Sequence, residues 1–176
     1  MVINPANLLT GLRLVLIPVL VYILLAEVEN YRLIAGILFS ISALTDLFDG
    51  IVARKYNMVT DLGRILDPVA DKLTLIAIFF VLLFKEIIPL GAGVVIIIRE
   101  GGLFLASSIL FLAGKDMIHP TNFGKFTALF LYVVAVINIF DLPALGIPLI
   151  WAAAVLAVAS ALDYFRIAWV KLRKAR

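Results

Sequence analysis

The sequence predicts an all-α integral membrane protein with six transmembrane helices and a short N-terminal interfacial segment. Of the 176 residues, 64% are hydrophobic, and the mean hydropathy is +1.16. Apolar stretches of about 20 residues, the length that crosses a bilayer as a helix, recur six times along the chain. Backbone polar groups in lipid must be satisfied within their own segment, so each stretch is expected to be helical. This composition excludes an ordinary soluble domain.

The predicted spans cover most of the chain, and residues 1–10 are expected to lie at the membrane interface before the first span. The spans are 9–26, 33–52, 62–84, 87–113, 123–139 and 145–170. We expect one domain over residues 1–176, because no linker, repeat or low-complexity stretch divides the sequence. The sequence contains no cysteine, which excludes a disulfide framework and a thiolate metal site. It also lacks the basic N-terminal region of a cleaved signal peptide.

Lysine and arginine are distributed unequally between the two sides of the predicted bundle. Six spans place both termini on one side, together with the turns after the second and fourth spans. Ten basic residues flank the spans on that side, whereas the other side has Arg32 and Lys85. Positively charged loops face the cytoplasm, so we expect a multi-pass protein of the cell (inner) membrane with its aspartate-rich turn on the cytoplasmic side. The net charge of +3 is small, and nucleic-acid binding is not expected.

Acidic residues are concentrated between the second and third spans, where five of the 12 fall between positions 46 and 71. Their spacing places most of them on two helical faces. The first face, spaced i, i+3, i+4 and i+7, contains Asp46, Asp49, Gly50 and Ala53. The second face, spaced i, i+4 and i+8, contains Gly63, Asp67 and Asp71. Each half of this segment is therefore predicted to be a helical stripe of carboxylates and very small side chains.

Two antiparallel helices joined by a turn between Arg54 and Gly63 would direct four carboxylates into one gap. Carboxylates held this close stay ionised when cations lie between them. Ligand sets made only of oxygen favour hard divalent metals such as Mg²⁺ or Mn²⁺, which are usually shared with substrate phosphates. The small residues leave room for a ligand to approach the helix backbone. The alternative interpretation is a polar turn whose aspartates cap helices.

The complete pattern D-x2-D-G-x2-A-R-x8-G-x3-D-x3-D, from Asp46 to Asp71, resembles the signature of the CDP-alcohol phosphotransferases, which are integral membrane enzymes of phospholipid synthesis. Every fixed position is filled, so the signal is strong. Asn7 and Thr10 resemble the P-N-x-L-T stretch that precedes the first span in this family, with an alanine intervening after Pro5. A helix-capping turn is the alternative for those two residues.

The resemblance implies the site and its ligands. The donor would be CDP-diacylglycerol, two divalent ions (Mg²⁺ or Mn²⁺) would assist, and Asp71 would act as the general base. The implied metal ligands are Asp46, Asp49, Asp67 and Asp71. The implied nucleotide-binding residues are Asn7, Thr10, Asp46, Gly50, Ala53, Arg54, Thr60 and Gly63. The family also suggests a homodimer embedded among membrane lipids.

The acceptor is indicated by charged residues in the fourth and fifth spans. Phosphatidylglycerophosphate synthases carry an Arg-Glu pair in the corresponding span, which Arg99-Glu100 resembles. The segment from Gly124 to Thr127 resembles the G-K-x-K-T stretch of glycerophosphate-using members, although Phe126 replaces the second lysine. The resemblance implies that Arg99, Lys125 and Thr127 bind the acceptor phosphate of glycerol 3-phosphate. The alternatives are a structural ion pair in the fourth span and a surface lysine in the fifth.

Several other functions stay open from the sequence. Inositol phosphate is the nearest rival acceptor, and serine, a second phosphatidyl group or an ether-lipid donor are further alternatives. A divalent-cation transporter would use the same aspartates without catalysis. Transporters place such ligands near the bilayer midplane, however, whereas these aspartates lie beside a basic turn, which favours an enzyme.

Overall fold

A bundle of six α-helices forms in the computed structural model, and the residues that it describes contain no β-strand. These are residues 5–55, 61–112 and 121–174, with side chains described at 10–45, 67–110 and 121–166. The helices are α1 (Pro5–Ala26), α2 (Tyr31–Lys55), α3 (Asp61–Phe84), α4 (Leu90–Leu112), α5 (Asn122–Ile139) and α6 (Pro143–Lys174). The prediction of an all-α protein with six helices is confirmed.

The helix ends differ from the predicted spans mainly at the turns. Helix α1 begins at Pro5, so the segment predicted to precede the first span is continuous with it. Proline suits a first helical position, because the N–H that it lacks would have no partner within the helix. Helix α4 begins at Leu90 rather than at 87, since Pro89 disfavours a helical conformation at Ile88. Helix α6 continues to Lys174, beyond the predicted end at 170.

The described part of three helices is long and apolar enough to cross a membrane, namely Leu90–Leu110, Asn122–Ile139 and Pro143–Arg166. Shorter apolar segments, Thr10–Ala26 and Tyr31–Thr45, occupy α1 and α2. Helix α3 is not among these apolar segments, because its first half contains several charged residues. Large apolar side chains face outward on all six helices, for example Phe80 on α3 and Val155 on α6. A lipid environment accommodates such a surface, which is far more apolar than a soluble protein exposes.

Helix α3 lies at the centre of the bundle, where it packs against α1, α4 and α5. Helix α2 packs against α1 and α5, and α6 packs against α4 and α5. The interior is filled by fully buried aliphatic and aromatic side chains, including Phe39 of α2, Phe79 of α3, Ile96 of α4, Leu131 of α5 and Ile150 of α6. The charged residues of α3 therefore lie within reach of three neighbouring helices.

The turns after α1, α3 and α5 are joined at one end of the bundle. Lys85 forms an ion pair with Glu27, and its Nζ also donates a hydrogen bond to the Leu24 carbonyl at 2.8 Å. Arg32 forms an ion pair with Asp141. The hydrogen bond and positive charge of Lys85 hold the pKa of the Glu27 carboxyl below its ordinary value. Two ion pairs thus connect the helix ends at this end of the bundle.

Candidate active site

Both halves of the aspartate motif are helical, as predicted. Residues 46–54 belong to the last turns of α2, and residues 63–71 belong to α3. The side chains of Asp46, Asp49, Ala53 and Arg54, together with Gly50, Gly63 and the Asn7 side chain, lie outside those that the structure describes. Thr60 lies outside the described residues altogether. The geometry of the site is therefore built from Asp67 and Asp71 and from the residues around them.

Asp67 forms a hydrogen bond with a residue of α1. The Thr10 hydroxyl donates a hydrogen bond to Asp67 Oδ1, and Thr10 is buried. The residues are 57 positions apart in sequence, and the packing of α1 on α3 brings them together. Thr10 was predicted to bind the nucleotide, and its hydroxyl lies at a motif carboxylate. A nucleotide-binding role for Thr10 stays a prediction.

Asp71 forms an ion pair with Arg13, a residue that lies outside the aspartate motif. Arg13 Nη1 lies 2.5 Å from Asp71 Oδ1, and the Arg13 side chain is only 7% exposed. Tyr132 of α5 also lies near Asp71, because its hydroxyl is 3.5 Å from the Asp71 backbone carbonyl. Its ring stacks on Phe39 with centroids 5.5 Å apart. A charged residue within a span needs a partner, so Arg13 could have been recognised as a site residue.

The described carboxylates fit a divalent cation by their chemistry. Asp67 and Asp71 are one helical turn apart on α3, and their oxygens are hard ligands of the kind that Mg²⁺ and Mn²⁺ prefer. Among the side chains that the structure describes, no group of three or more acidic, histidine or cysteine residues is close enough to hold a metal ion. The other two predicted ligands, Asp46 and Asp49, are not among those side chains.

A second charged cluster joins α3, α4 and α6. Glu100 is 1% exposed; one of its carboxylate oxygens pairs with Arg99 Nη1, and the other lies 3.2 Å from Lys72 Nζ. Arg99 Nη2 donates a hydrogen bond to the Ser160 hydroxyl at 2.9 Å. Arg99 Nε is buried and has no hydrogen-bond partner among the described residues. We call Lys72, Arg99 and Glu100 the α3–α4 charge cluster.

The predicted acceptor residues occupy different parts of the bundle. Arg99 is buried within the charge cluster, and it also borders an apolar groove between α4 and α6. Lys125 is exposed in the first turn of α5. Thr127 is fully buried, and its hydroxyl donates a hydrogen bond to the Phe123 carbonyl at 2.8 Å. The structure therefore does not bring these three side chains into direct contact, and their role as a phosphate site stays a prediction.

The first turn of α5 is shaped by its cap and by α6. The Thr121 hydroxyl accepts a hydrogen bond from the Gly124 backbone N–H at 2.9 Å, which caps the helix. Gly124 is buried against Tyr164 of α6. Lys125 thus extends from a helical turn that is capped by Thr121 and packed against Tyr164.

Known proteins are similar in sequence to nearly the whole chain. The profile of the CDP-alcohol phosphatidyltransferase family matches residues 3–159. The chain belongs to this family. A CDP-diacylglycerol–glycerol-3-phosphate 3-phosphatidyltransferase of Bacillus subtilis is 34% identical to it over 97% of both chains. A protein of the same name from Rickettsia bellii is 34% identical, over 93% of this chain and 94% of the relative. A probable phosphatidylglycerophosphate synthase of Mycobacterium tuberculosis is 35% identical, over 90% of this chain and 75% of the relative.

Membership of the CDP-alcohol phosphatidyltransferase family confirms the resemblance seen in the aspartate motif. Proteins of this family are membrane-bound and generally dependent on divalent metals. Both properties agree with the apolar helices and with the oxygen ligands on α3. The family match includes α1, so Thr10 and Arg13 lie within the matched region together with the motif.

Proposed function

We propose that this phosphatidyltransferase transfers the phosphatidyl group of CDP-diacylglycerol to glycerol 3-phosphate, giving phosphatidylglycerophosphate and CMP. The observation that carries the proposal is the similarity, over nearly the whole chain, to several proteins named for this reaction. The filled aspartate motif supports the reaction class, and the charged residues of α4 and α5 support a phosphorylated acceptor.

The reaction forms a bond between the acceptor oxygen and the phosphorus that bears the diacylglycerol. The bond between that phosphorus and the CMP oxygen breaks, and CMP leaves. The acceptor hydroxyl loses its proton, for which we propose the Asp71 carboxylate as the general base. Arg13 holds this carboxylate beside α1, and so fixes its direction. Such positioning matters because a small displacement of a reacting group slows the reaction strongly.

We propose that Asp46, Asp49, Asp67 and Asp71 hold two divalent ions, Mg²⁺ or Mn²⁺. When bound, these ions would neutralise the pyrophosphate and stabilise the leaving oxygen. The chain's own residues orient the donor: Asn7, Thr10, Arg54 and Thr60 would contact the nucleotide and its phosphates. Gly50, Ala53 and Gly63, which have little or no side chain, would leave room for cytidine and ribose.

For the acceptor, we propose that Arg99, Lys125 and Thr127 favour a phosphorylated alcohol. Lys125 is exposed at a helix N-terminus, where anions are stabilised. Arg99 is oriented by Glu100 and Ser160, so its contribution would be made from a fixed position. Inositol phosphate stays the nearest alternative acceptor.

The arrangement in the cell is also a proposal. The distribution of lysine and arginine supports a cell (inner) membrane protein with the motif and both termini in the cytoplasm. We further propose that residues 1–176 act as one domain and that the enzyme is a homodimer. Single cysteines introduced at Asn57 and Asn30 test the orientation, because only the first should react from the cytoplasm.

A CMP-release assay tests the proposed function. The purified enzyme is supplied with CDP-diacylglycerol and, in separate reactions, with glycerol 3-phosphate, inositol phosphate, serine and glycerol. We expect rapid CMP release with glycerol 3-phosphate and a lipid product of matching mass. Rapid release with inositol phosphate alone would replace the acceptor, and no release with any alcohol would overturn the enzymatic function.

A further inference from the structure

We propose that Lys72 binds the phosphate group of the acceptor, beside the carboxylate proposed as the base. The inference rests on the proposed function, because it assumes a phosphorylated acceptor. It concerns a residue to which the aspartate motif and the predicted acceptor site give no role. Three observations support it: the sharing of Glu100, the charge of the cluster, and the place of Lys72 on α3.

Among the residues that the structure describes, Lys72 donates a hydrogen bond to Glu100 alone, which it shares with Arg99. Arg99 and Lys72 each occupy one of the two carboxylate oxygens. Arg99 is 3% exposed and makes a further hydrogen bond to Ser160, so its two Nη atoms are engaged. The Lys72 ammonium has three N–H donors, of which the described contacts use one. Its side chain is 22% exposed, so a ligand can reach it.

The charges of the cluster favour an anionic ligand. Two cationic side chains share one buried carboxylate, which leaves an excess of one positive charge among the three residues. Charge inside a membrane bundle is costly and is usually paired. A phosphate ester supplies the missing negative charge, and lysine binds phosphate well as a compact point charge.

The place of Lys72 on α3 fits the size of a small acceptor. Lys72 follows Asp71 directly, so their Cα atoms are about 3.8 Å apart. Lys125 lies seven residues, about 10 Å of helix, before Tyr132, whose hydroxyl is 3.5 Å from the Asp71 carbonyl. Their side chains lie about 100° apart around the helix, toward α1 and α4, so an acceptor with its hydroxyl at Asp71 and its phosphate at Lys72 would bridge the face of α3 between them.

The experiment compares Lys72→Met with Lys85→Met in the full-length enzyme. Both variants remove the charge of a lysine that is paired with a glutamate, and Lys85 lies at the far end of the bundle. For Lys72→Met we expect the KM for glycerol 3-phosphate to rise about 10- to 150-fold, the range for loss of a charge-assisted contact. The KM for CDP-diacylglycerol should stay unchanged. Lys85→Met should leave both KM values unchanged, and Lys72→Arg should restore most of the affinity.

Two results separate the alternatives. If folded Lys72→Met keeps the parent KM for glycerol 3-phosphate, Lys72 only ties α3 to α4, and the inference is wrong. If the KM for CDP-diacylglycerol rises instead, the phosphate that Lys72 contacts belongs to the donor, which also overturns the acceptor site. A failure of the proposed function can be distinguished from a failure of this inference. In the first case, the parent enzyme itself would release no CMP with glycerol 3-phosphate.

A second measurement does not depend on the folding of a variant. The parent enzyme is treated with a lysine-acylating reagent, and modification of Lys72 is quantified by mass spectrometry. Glycerol 3-phosphate should protect Lys72 in a concentration-dependent manner, whereas glycerol should not. Equal modification of Lys72 in both solutions would overturn the inference.

Discussion

Tyr164 of α6 lies so close to Gly124 of α5 that no side chain fits between them. A β-carbon built on Gly124 would lie 2.2 Å from the Tyr164 hydroxyl oxygen and 2.9 Å from the nearest ring carbons. Gly124 immediately precedes Lys125, the residue proposed to contact the acceptor phosphate. Helix packing thus disfavours any residue larger than glycine at this position of the Gly-Lys pair.

We expect Gly124→Ala to destabilise the protein by about 1–3 kcal/mol, the usual cost of overpacking a tight contact. The measurement is the thermal unfolding temperature in detergent. Gly101→Ala on α4 is the matched control, because a β-carbon there meets nothing within 4 Å. A helical glycine changed to alanine without a clash stabilises by about 0.5–1 kcal/mol. If Gly124→Ala/Tyr164→Leu is no more stable than Gly124→Ala, the contact with Tyr164 is not the cause.

Asp67→Asn should abolish turnover and the dependence of activity on Mg²⁺ or Mn²⁺ together, because a proposed metal ligand loses its charge. The amide oxygen can still accept the Thr10 hydrogen bond, so the fold should persist. The measurement is CMP release across a metal titration. Asp141→Asn is the control, since Asp141 pairs with Arg32 in a turn at the far end of the bundle. Full activity of Asp67→Asn with unchanged metal dependence would refute the proposed metal site.

Asp71→Asn should lower turnover by about 10²–10⁴-fold, the usual cost of losing a general base. Calorimetry should still detect binding of CDP-diacylglycerol. The variant also removes the charge of the carboxylate that pairs with the buried Arg13, so a structural effect must be separated from the chemical one. Arg13→Gln/Asp71→Asn removes both charges. If the double variant recovers turnover, the pair has only a structural role; if Asp71 is the base, turnover stays low.

Lys125→Ala should weaken the use of glycerol 3-phosphate while donor affinity stays unchanged. A charge-assisted phosphate contact contributes about 1.5–3 kcal/mol, which predicts a KM about 10- to 150-fold higher. Lys125 is exposed, so the unfolding temperature should not change. Arg99→Ala should behave differently, because it removes one of the two cations that neutralise the buried Glu100, and its unfolding temperature should fall. A parent KM in Lys125→Ala would exclude Lys125 from the acceptor site.

The Glu27–Lys85 pair predicts a pH dependence at the opposite end of the bundle. The hydrogen bond and charge of Lys85 lower the pKa of Glu27 in the folded protein. A lowered carboxyl pKa contributes stability above the ordinary glutamate pKa, and this is lost as the pH falls through the lowered value. The unfolding temperature of the parent should therefore exceed that of Glu27→Gln at neutral pH, and the difference should shrink on acidification. A difference that is constant with pH would exclude the pair as its source.

The sequence predicted the helices well, because a bilayer leaves few choices for the backbone. Hydropathy located all six helices, and the spacing of the aspartates predicted helical structure on both sides of the turn. The helix ends were less predictable, since capping and proline chemistry decide them locally. The late start of α4 behind Pro89 and the early start of α1 at Pro5 are examples.

The partners of the charged residues could not be predicted in the same way. Periodicity shows that Asp71 and Lys72 face different directions, but it does not say which helix lies opposite each. Arg13 is 58 residues from Asp71, and Lys72 is 28 residues from Glu100. Such pairs depend on which helices are neighbours in the bundle, and hydropathy does not show this. The sequence therefore indicated that these charges need partners without identifying Arg13 or Glu100.

The neighbouring positions Asp71 and Lys72 restrict the length of α3. Asp71 forms an ion pair with α1, and Lys72 forms one with α4. One inserted residue turns everything beyond it by about 100° and moves it about 1.5 Å along the helix. An insertion before Asp71 would therefore turn both side chains away from their partners, and a deletion would do the same in the opposite sense. Changes in chain length among functional variants, and tags introduced by engineering, should accordingly be confined to the turns.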